Sequence, residues 1–122
     1  MTYETTNWVW GDQDVGSETI KPIAPYLCYV YLKNTKAWEG RKKRMMRWDI
    51  GGSPYDDAHL DEPGTTIDFE EILGAFEEIG YDGAVAVHQS PLDGESIEHG
   101  YRACYAYLTK IGNFAPWSSA TA

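Results

Sequence analysis

The stretch GTTIDFEEILGAFEEIGYDGAVAVH, residues 64–88, carries a helix, a turn and a strand in succession and decides the fold class. In its first half, apolar residues recur at spacings of three and four, which predicts an amphipathic helix. Asp68 is followed three residues later by Glu71, the pattern of a capping box, and Gly80 stands where a glycine commonly ends a helix. The apolar run 84–88 is typical of a strand that is buried on both faces.

Similar units lie on either side of this stretch. Upstream, the aromatic run Trp8–Trp10 and the apolar run Tyr26–Leu32 predict two more strands, with a short helix starting near Ser17 between them. The almost continuous apolar character of Tyr26–Leu32 predicts that both faces of its strand are covered. Downstream, Ser96 can cap a last helix that ends at Gly112. We expect its apolar face to comprise Ile97, Tyr101, Cys104, Leu108 and Ile111. Three alternations of strand and helix predict an α/β fold with parallel strands and crossover helices.

A long segment, residues 34–66, separates the second strand from the helix at Asp68. Gly51-Gly52 and Pro54 interrupt any regular element there, so we expect an irregular loop. Its basic run, Arg41 to Arg44, fits a solvated loop, although loops of this length are often functional.

Composition limits the classes of function. With 122 residues the chain has the length of one domain, and ten basic against nineteen acidic residues give a net charge of −9. Such a charge argues against nucleic acid or an anionic membrane as the partner. No basic leader followed by an apolar stretch opens the sequence, so a cytoplasmic protein is expected. Cys28 and Cys104 form no C-x-x-C motif and are expected to be buried thiols, with a disulfide as the open alternative.

The passages 64–73 and 78–87 resemble the last part of the xylose-isomerase-like TIM barrels, the family of sugar phosphate isomerases and epimerases with the endonuclease IV relatives. Tyr29-Val30-Tyr31-Leu32-Lys33-Asn34 resembles their seventh strand, usually H-V-H-L-K-D. Trp8 to Asp12 then falls on the sixth strand, and His88 falls at the end of the eighth. The resemblance covers roughly residues 7–111.

The resemblance implies a partial barrel. A complete (β/α)8 barrel has eight strands in about 250 residues, whereas this chain supplies three. Residues 1–112 would form strand–helix units six to eight, and 113–122 would form a tail. Since bare sheet edges are aggregation hazards, a companion chain carrying the rest of the barrel, or a second copy of this chain, is expected. A fragment of a longer protein is equally compatible with the sequence.

The resemblance also implies a metal site at the carboxyl ends of the strands, where TIM barrels hold their chemistry. Asp12 occupies the place of a metal-binding aspartate. His88 occupies the place of a glutamate that binds metal and acts as the base. Tyr31 and Asn34 replace the family's histidine and aspartate, and Val15 stands where a histidine is common. The expected cofactor is Mn²⁺ or Mg²⁺, with Zn²⁺ as the alternative, and the expected substrate is a small sugar.

Two further positions match the family. Lys33 corresponds to its lysine and is expected to contact an anionic or hydroxylated substrate. Asp57 and His59 resemble the aspartate-x-histidine metal pair of the endonuclease IV branch, although the following glycine lies one residue further on.

Three functions remain open from the sequence. The first is a subunit or fragment of a metal-dependent sugar isomerase or epimerase. The second is a non-catalytic barrel piece that binds or scaffolds a partner. The third is a free-standing α/β domain of unrelated function. No dinucleotide fingerprint, P-loop or nucleophile elbow supports the third.

Overall fold

The computed structural model describes residues 1–11, 13–37, 55–62, 65, 67–88 and 91–115. The strands are β1 (Thr2–Glu4), β2 (Tyr29–Leu32), β3 (Asn34–Ala37), β4 (Tyr55–Ala58) and β5 (Val85–Val87). The helices are α1 (Thr5–Trp10), α2 (Ser17–Ile23), α3 (Phe69–Glu78) and α4 (Ile97–Ile111), and a 3₁₀ turn covers Ala24–Tyr26. Within the described segments, no helix combines the length and apolar character needed to cross a bilayer.

Two sheets organise the described residues. The first has the order β1-β2-β5, and both of its pairings are parallel. It confirms the predicted α/β class with three parallel strands. The second is an antiparallel hairpin of β3 and β4, with Thr35 opposite Asp57. The expectation of an irregular loop is therefore wrong for the two ends of 34–66, while the basic run lies outside the described residues.

The first strand differs from the one predicted. Trp8–Trp10 belongs to helix α1, and the strand is Thr2–Glu4, immediately before it. Thr5, Thr6 and Val9 are buried, which is the spacing of a helix and not the alternation of a strand. Tyr3 is the single fully buried side chain of β1, so the alternation in this strand is too short to be recognised in the sequence.

The second strand is shorter than predicted. Pro25 lies in the 3₁₀ turn, and regular pairing starts only at Tyr29. Val30 and Leu32 are completely buried, whereas Tyr29 is exposed and Tyr31 half-buried. The prediction that both faces of this strand are covered is therefore wrong. One face packs on the helices and the other carries tyrosines.

The ends of α3 follow the sequence pattern closely. The Asp68 side chain accepts a hydrogen bond from the Glu71 N–H at 3.1 Å, which confirms the N-cap. At the other end Gly80 has φ 71°, and the N–H of Tyr81 reaches the Phe76 carbonyl at 2.9 Å, as in a Schellman motif. The Glu71 carboxylate does not complete the capping box. It accepts hydrogen bonds from the N–H and the hydroxyl of Ser17 at the start of α2.

The core lies between the helices and one face of the parallel sheet. Tyr3, Val30 and Val85 are neighbours in register, and Leu32 pairs with Val87. These side chains meet buried residues of α2, α3 and α4, namely Ile20, Phe69, Ile72, Leu73, Phe76, Cys104 and Leu108.

Helix α4 buries part of the predicted apolar face. Cys104 and Leu108 are buried and Ile111 packs against the core, whereas Ile97 and Tyr101 are exposed. Cys28 is also exposed, whereas Cys104 is buried as expected, and both are free thiols.

Tyr3 makes the stability of the fold depend on pH in alkaline solution. Its hydroxyl donates to the Val15 carbonyl inside the core. Burial, helped by the nearby Asp14 and Glu71 carboxylates, raises the pKa of Tyr3 above its ordinary value of 10.0. A raised folded-state pKa means that stability is intact below pH 10 and falls above it, by up to about 1.4 kcal/mol per pH unit.

We expect Tyr3→Phe to lose about 1 kcal/mol at pH 7 through the missing hydrogen bond, and to fall less steeply than the wild type above pH 10. Urea unfolding between pH 7 and 11 measures both slopes. Parallel curves for the two proteins would contradict the role of Tyr3.

Candidate functional site

The carboxyl ends of β1, β2 and β5 meet at one edge of the sheet, because the three strands are parallel. Glu4 is the last residue of β1, Lys33 follows β2, and His88 follows β5. The His88 N–H donates to the Leu32 carbonyl at 2.9 Å, which continues the strand pairing up to His88. Strand ends of this kind are where α/β proteins place their functional side chains.

Glu4 and His88 form the central pair of this edge. His88 Nδ1 lies 3.6 Å from Glu4 Oε1. The Glu4 side chain is 17% exposed and His88 is 59% exposed, so the carboxylate is largely sheltered while the imidazole is open to solvent. Thr6 Oγ1 donates to Glu4 Oε1 at 2.9 Å, and Asn7 Nδ2 donates to Oε2 at 3.2 Å. Helix α1 thus fixes both oxygens of the carboxylate.

Tyrosine rings lie beside this pair. In register, Tyr31 is the neighbour of both Glu4 and Ala86, so the three residues share the face opposite the core. The ring of Tyr31 lies 5.6 Å from the His88 ring and 4.9 Å from that of Tyr29, measured between centroids. The edge therefore combines a carboxylate, an imidazole and an aromatic surface.

Lys33 is held through its backbone. Its N–H donates to Thr5 Oγ1 at 3.0 Å, and the same hydroxyl donates to the Lys33 carbonyl. Thr5 is fully buried, so the carboxyl end of β2 is fixed to the start of α1. The next residue, Asn34, is also buried and donates from Nδ2 to the His59 carbonyl at 2.7 Å.

A second polar cluster lies where β4 approaches the start of α4. His59 Nε2 is 3.0 Å from the Glu95 carboxylate, and His99 Nε2 is 3.7 Å from it. The Leu92 N–H donates to the same carboxylate at 3.0 Å. An open hollow of about 620 Å³ adjoins these residues. The hydrogen bonds from Leu92 and then His59 lower the pKa of Glu95 below its ordinary value of 4.5, against an opposing effect of desolvation.

The structure places some of the predicted site residues at strand ends and leaves others outside the described part of the chain. His88 and Lys33 stand at strand ends as expected. Asp12 lies outside the described residues, and the strand that was to place it is helix α1. The Asp57 backbone belongs to β4, but its side chain is outside the described part of the chain. His59 contacts Glu95. The expectation that Asp57 and His59 bind a metal together remains a prediction.

Glu4 is the strand-end carboxylate that sequence reasoning missed. Its signal was the polar–Tyr–Glu alternation of residues 2–4, which precedes a helix with two threonines. Over the described ranges, no group of three or more His, Cys, Asp or Glu side chains is arranged to hold a metal ion.

Neither a scan against protein-family models nor a search of curated proteins returned a match to this chain.

The Glu95 cluster predicts an acid-sensitive contact. Because the folded-state pKa of Glu95 is lowered, its stabilising contribution is present above pH 4.5 and is lost as the pH falls through the lower folded value. We expect Glu95→Gln to be less stable than the wild type at pH 6 and to approach it near pH 3. Thermal unfolding at each pH measures the difference.

The matched control is Glu98→Gln, three residues further along in the first turn of α4. Its exposed ion pair with Arg102 contributes little, so this variant should follow the wild type at both pH values. A constant gap between Glu95→Gln and the wild type from pH 6 to 3 would contradict the assignment.

Proposed function

We propose that the chain is a subunit or fragment of a sugar or sugar phosphate isomerase or epimerase, with a divalent-metal site at the carboxyl ends of its parallel strands. The observation that carries the proposal is the approach of Glu4 and His88, from the two outer strands of the described sheet, to 3.6 Å. A carboxylate and an imidazole at one strand-end edge are the donors that such chemistry uses.

The architecture supports a partial (β/α)8 barrel of the xylose-isomerase-like kind. The parallel strands follow one another in sequence order across the sheet, and α2, α3 and α4 bury their apolar residues against one face. In a barrel the opposite face points inward. Here that face carries Tyr29 and Tyr31, which a companion chain or a second copy would cover.

The donor set fits a divalent metal only in part. Glu4 supplies oxygen and His88 supplies nitrogen, which suits Mn²⁺, Mg²⁺ or Zn²⁺ when further ligands come from the companion. Glu4 ends the first strand, which is where the resemblance expects a metal-binding carboxylate, while the role of Asp12 stays a prediction. A metal bound there would polarise the carbonyl or hydroxyl of the sugar.

This chain's own residues have separable tasks. Glu4, oriented by Thr6 and Asn7, faces His88 Nδ1 and would fix the direction of the imidazole. His88 Nε2 would then take the proton from the sugar carbon, the general-base role that an imidazole can fill. If His88 instead binds the metal, the companion must supply the base.

The test uses the native complex isolated through a tag on this chain. Incorporation of solvent deuterium into sugar phosphates reports proton transfer at carbon. We expect His88→Ala to reduce it by about 10²-fold or more, because general bases contribute at least that factor. Glu4→Gln should reduce both deuterium incorporation and Mn²⁺ binding, which is followed by electron paramagnetic resonance.

The control for these variants is Glu78→Gln, which removes an exposed carboxylate at the end of α3 that pairs with Lys21, away from the carboxyl ends of the strands. We expect it to retain both deuterium incorporation and Mn²⁺ binding. Full incorporation by His88→Ala in a metal-replete complex would overturn the enzymatic proposal.

One observation favours a second candidate, a non-catalytic barrel piece that binds a partner. The described residues bring together two potential ligands at the strand ends and no third. In that case the complex incorporates no deuterium, and neither variant alters any turnover.

A further inference from the structure

Helix α4 carries an exposed apolar stripe on the flank beside its buried residues. Ile97, Tyr101 and Tyr105 are 64%, 41% and 71% exposed, and they recur every four residues. At 100° per residue this spacing turns through only 80°, so the three side chains lie on one flank over two helical turns. Large apolar side chains that lie next to one another on an exposed helix flank are a feature of interaction surfaces.

The flank also has the form of a packing socket. Glu98, Tyr101, Arg102 and Tyr105 line an open hollow of about 490 Å³. Their spacing is i, i+3, i+4 and i+7, the four positions that form the hole for a knob from a facing helix. The occupant that this shape accepts is therefore a side chain of another α-helix.

The pattern is complementary to itself. When two α4 helices run antiparallel about a twofold axis at Tyr101, Ile97 of one copy lies opposite Tyr105 of the other, and the two Tyr101 rings meet at the axis. Glu98 of one copy then lies within one turn of Arg102 of the other. These two residues already attract each other within the helix, with Arg102 Nε 2.9 Å from Glu98 Oε1. Reciprocal contacts of this kind define an isologous interface.

We propose that this flank of α4, comprising Ile97, Glu98, Tyr101, Arg102 and Tyr105, is a homodimer interface whose occupant is the same flank of a second copy. Two helical turns bury a small area, so the dimer is a weak one that forms at high concentration. The proposal is independent of the isomerase function, because none of its residues lies at the strand ends.

The test is the mass in solution by sedimentation velocity across a concentration series that reaches about 100 µM, where weak interfaces are populated. We expect the wild-type chain to shift from monomer to dimer over this series. Tyr105→Ser should weaken the dimer at least tenfold. Tyr26→Ser is the matched control, because Tyr26 is 70% exposed but lies in the 3₁₀ turn away from α4, and it should dimerise like the wild type.

A charge exchange tests the orientation. Glu98→Arg alone places like charges across the interface, as does Arg102→Glu alone, and each should weaken dimerisation. The double variant Glu98→Arg/Arg102→Glu should restore it, because both reciprocal pairs are re-formed with inverted sign.

Three results would overturn the proposal. The first is a monomer throughout the series, which would mean that the stripe binds a different protein and not a second copy. The second is a dimer that Tyr105→Ser leaves intact, and the third is a dimer that Tyr26→Ser weakens equally. The last two would place self-association on another surface.

Discussion

The parallel pairing of β2 with β1 on one side and β5 on the other is the constraint on which the rest of the described structure depends. Two ladders of three residue pairs each hold the described sheet together, so their register decides which side chains face the helices. Val30 and Leu32 face the core because of this register, and Tyr29 and Tyr31 consequently face the opposite way. A shift of β2 by one residue would turn Tyr29 and Tyr31 toward the helices and Val30 and Leu32 away from them.

The same pairing explains why the candidate site exists. Glu4 and His88 are 84 positions apart in sequence and share no local motif. Their approach follows from β1 and β5 ending within one residue of each other on either side of β2, β1 opposite Tyr31 and β5 opposite Leu32. Thr6 and Asn7 then orient the carboxylate from α1. A strand of three residues is sufficient for this because the helix that follows it begins without a linker.

Sequence reasoning succeeded where local patterns were long. Helix α3 was predictable from its apolar stripe, its cap at Asp68 and its glycine at position 80, and all three features operate within a few residues. The parallel sheet followed from the alternation of strands and helices. His88 was placed correctly because the strand before it is a continuous apolar run.

The failures share a different cause. Trp8 and Val9 have high strand propensity, yet they are helical because buried Thr5 and Thr6 anchor α1 to the sheet through contacts that no local pattern reveals. That error moved the expected strand-end carboxylate from Glu4 to Asp12. Similarly, Ile97 and Tyr101 have the spacing of a core face, but they lie in the first turns of α4 and are exposed, whereas Cys104 and Leu108 further along the helix are buried. The contact between His59 and Glu95 spans 36 residues and depends on the hairpin, which the sequence did not predict.

The two surfaces left open by the fold make different demands on a partner. The sheet face with Tyr29 and Tyr31 adjoins unpaired strand edges in the described sheet. The backbone N–H and C=O groups at such an edge form hydrogen bonds with a further strand. The flank of α4 presents side chains alone, because the backbone groups of a helix are already bonded internally, and another helix can cover it without any change in secondary structure. The proposed second copy on α4 would therefore leave the sheet face free for the proposed companion. Completion of the strand-end site and self-association through α4 would then be separate steps.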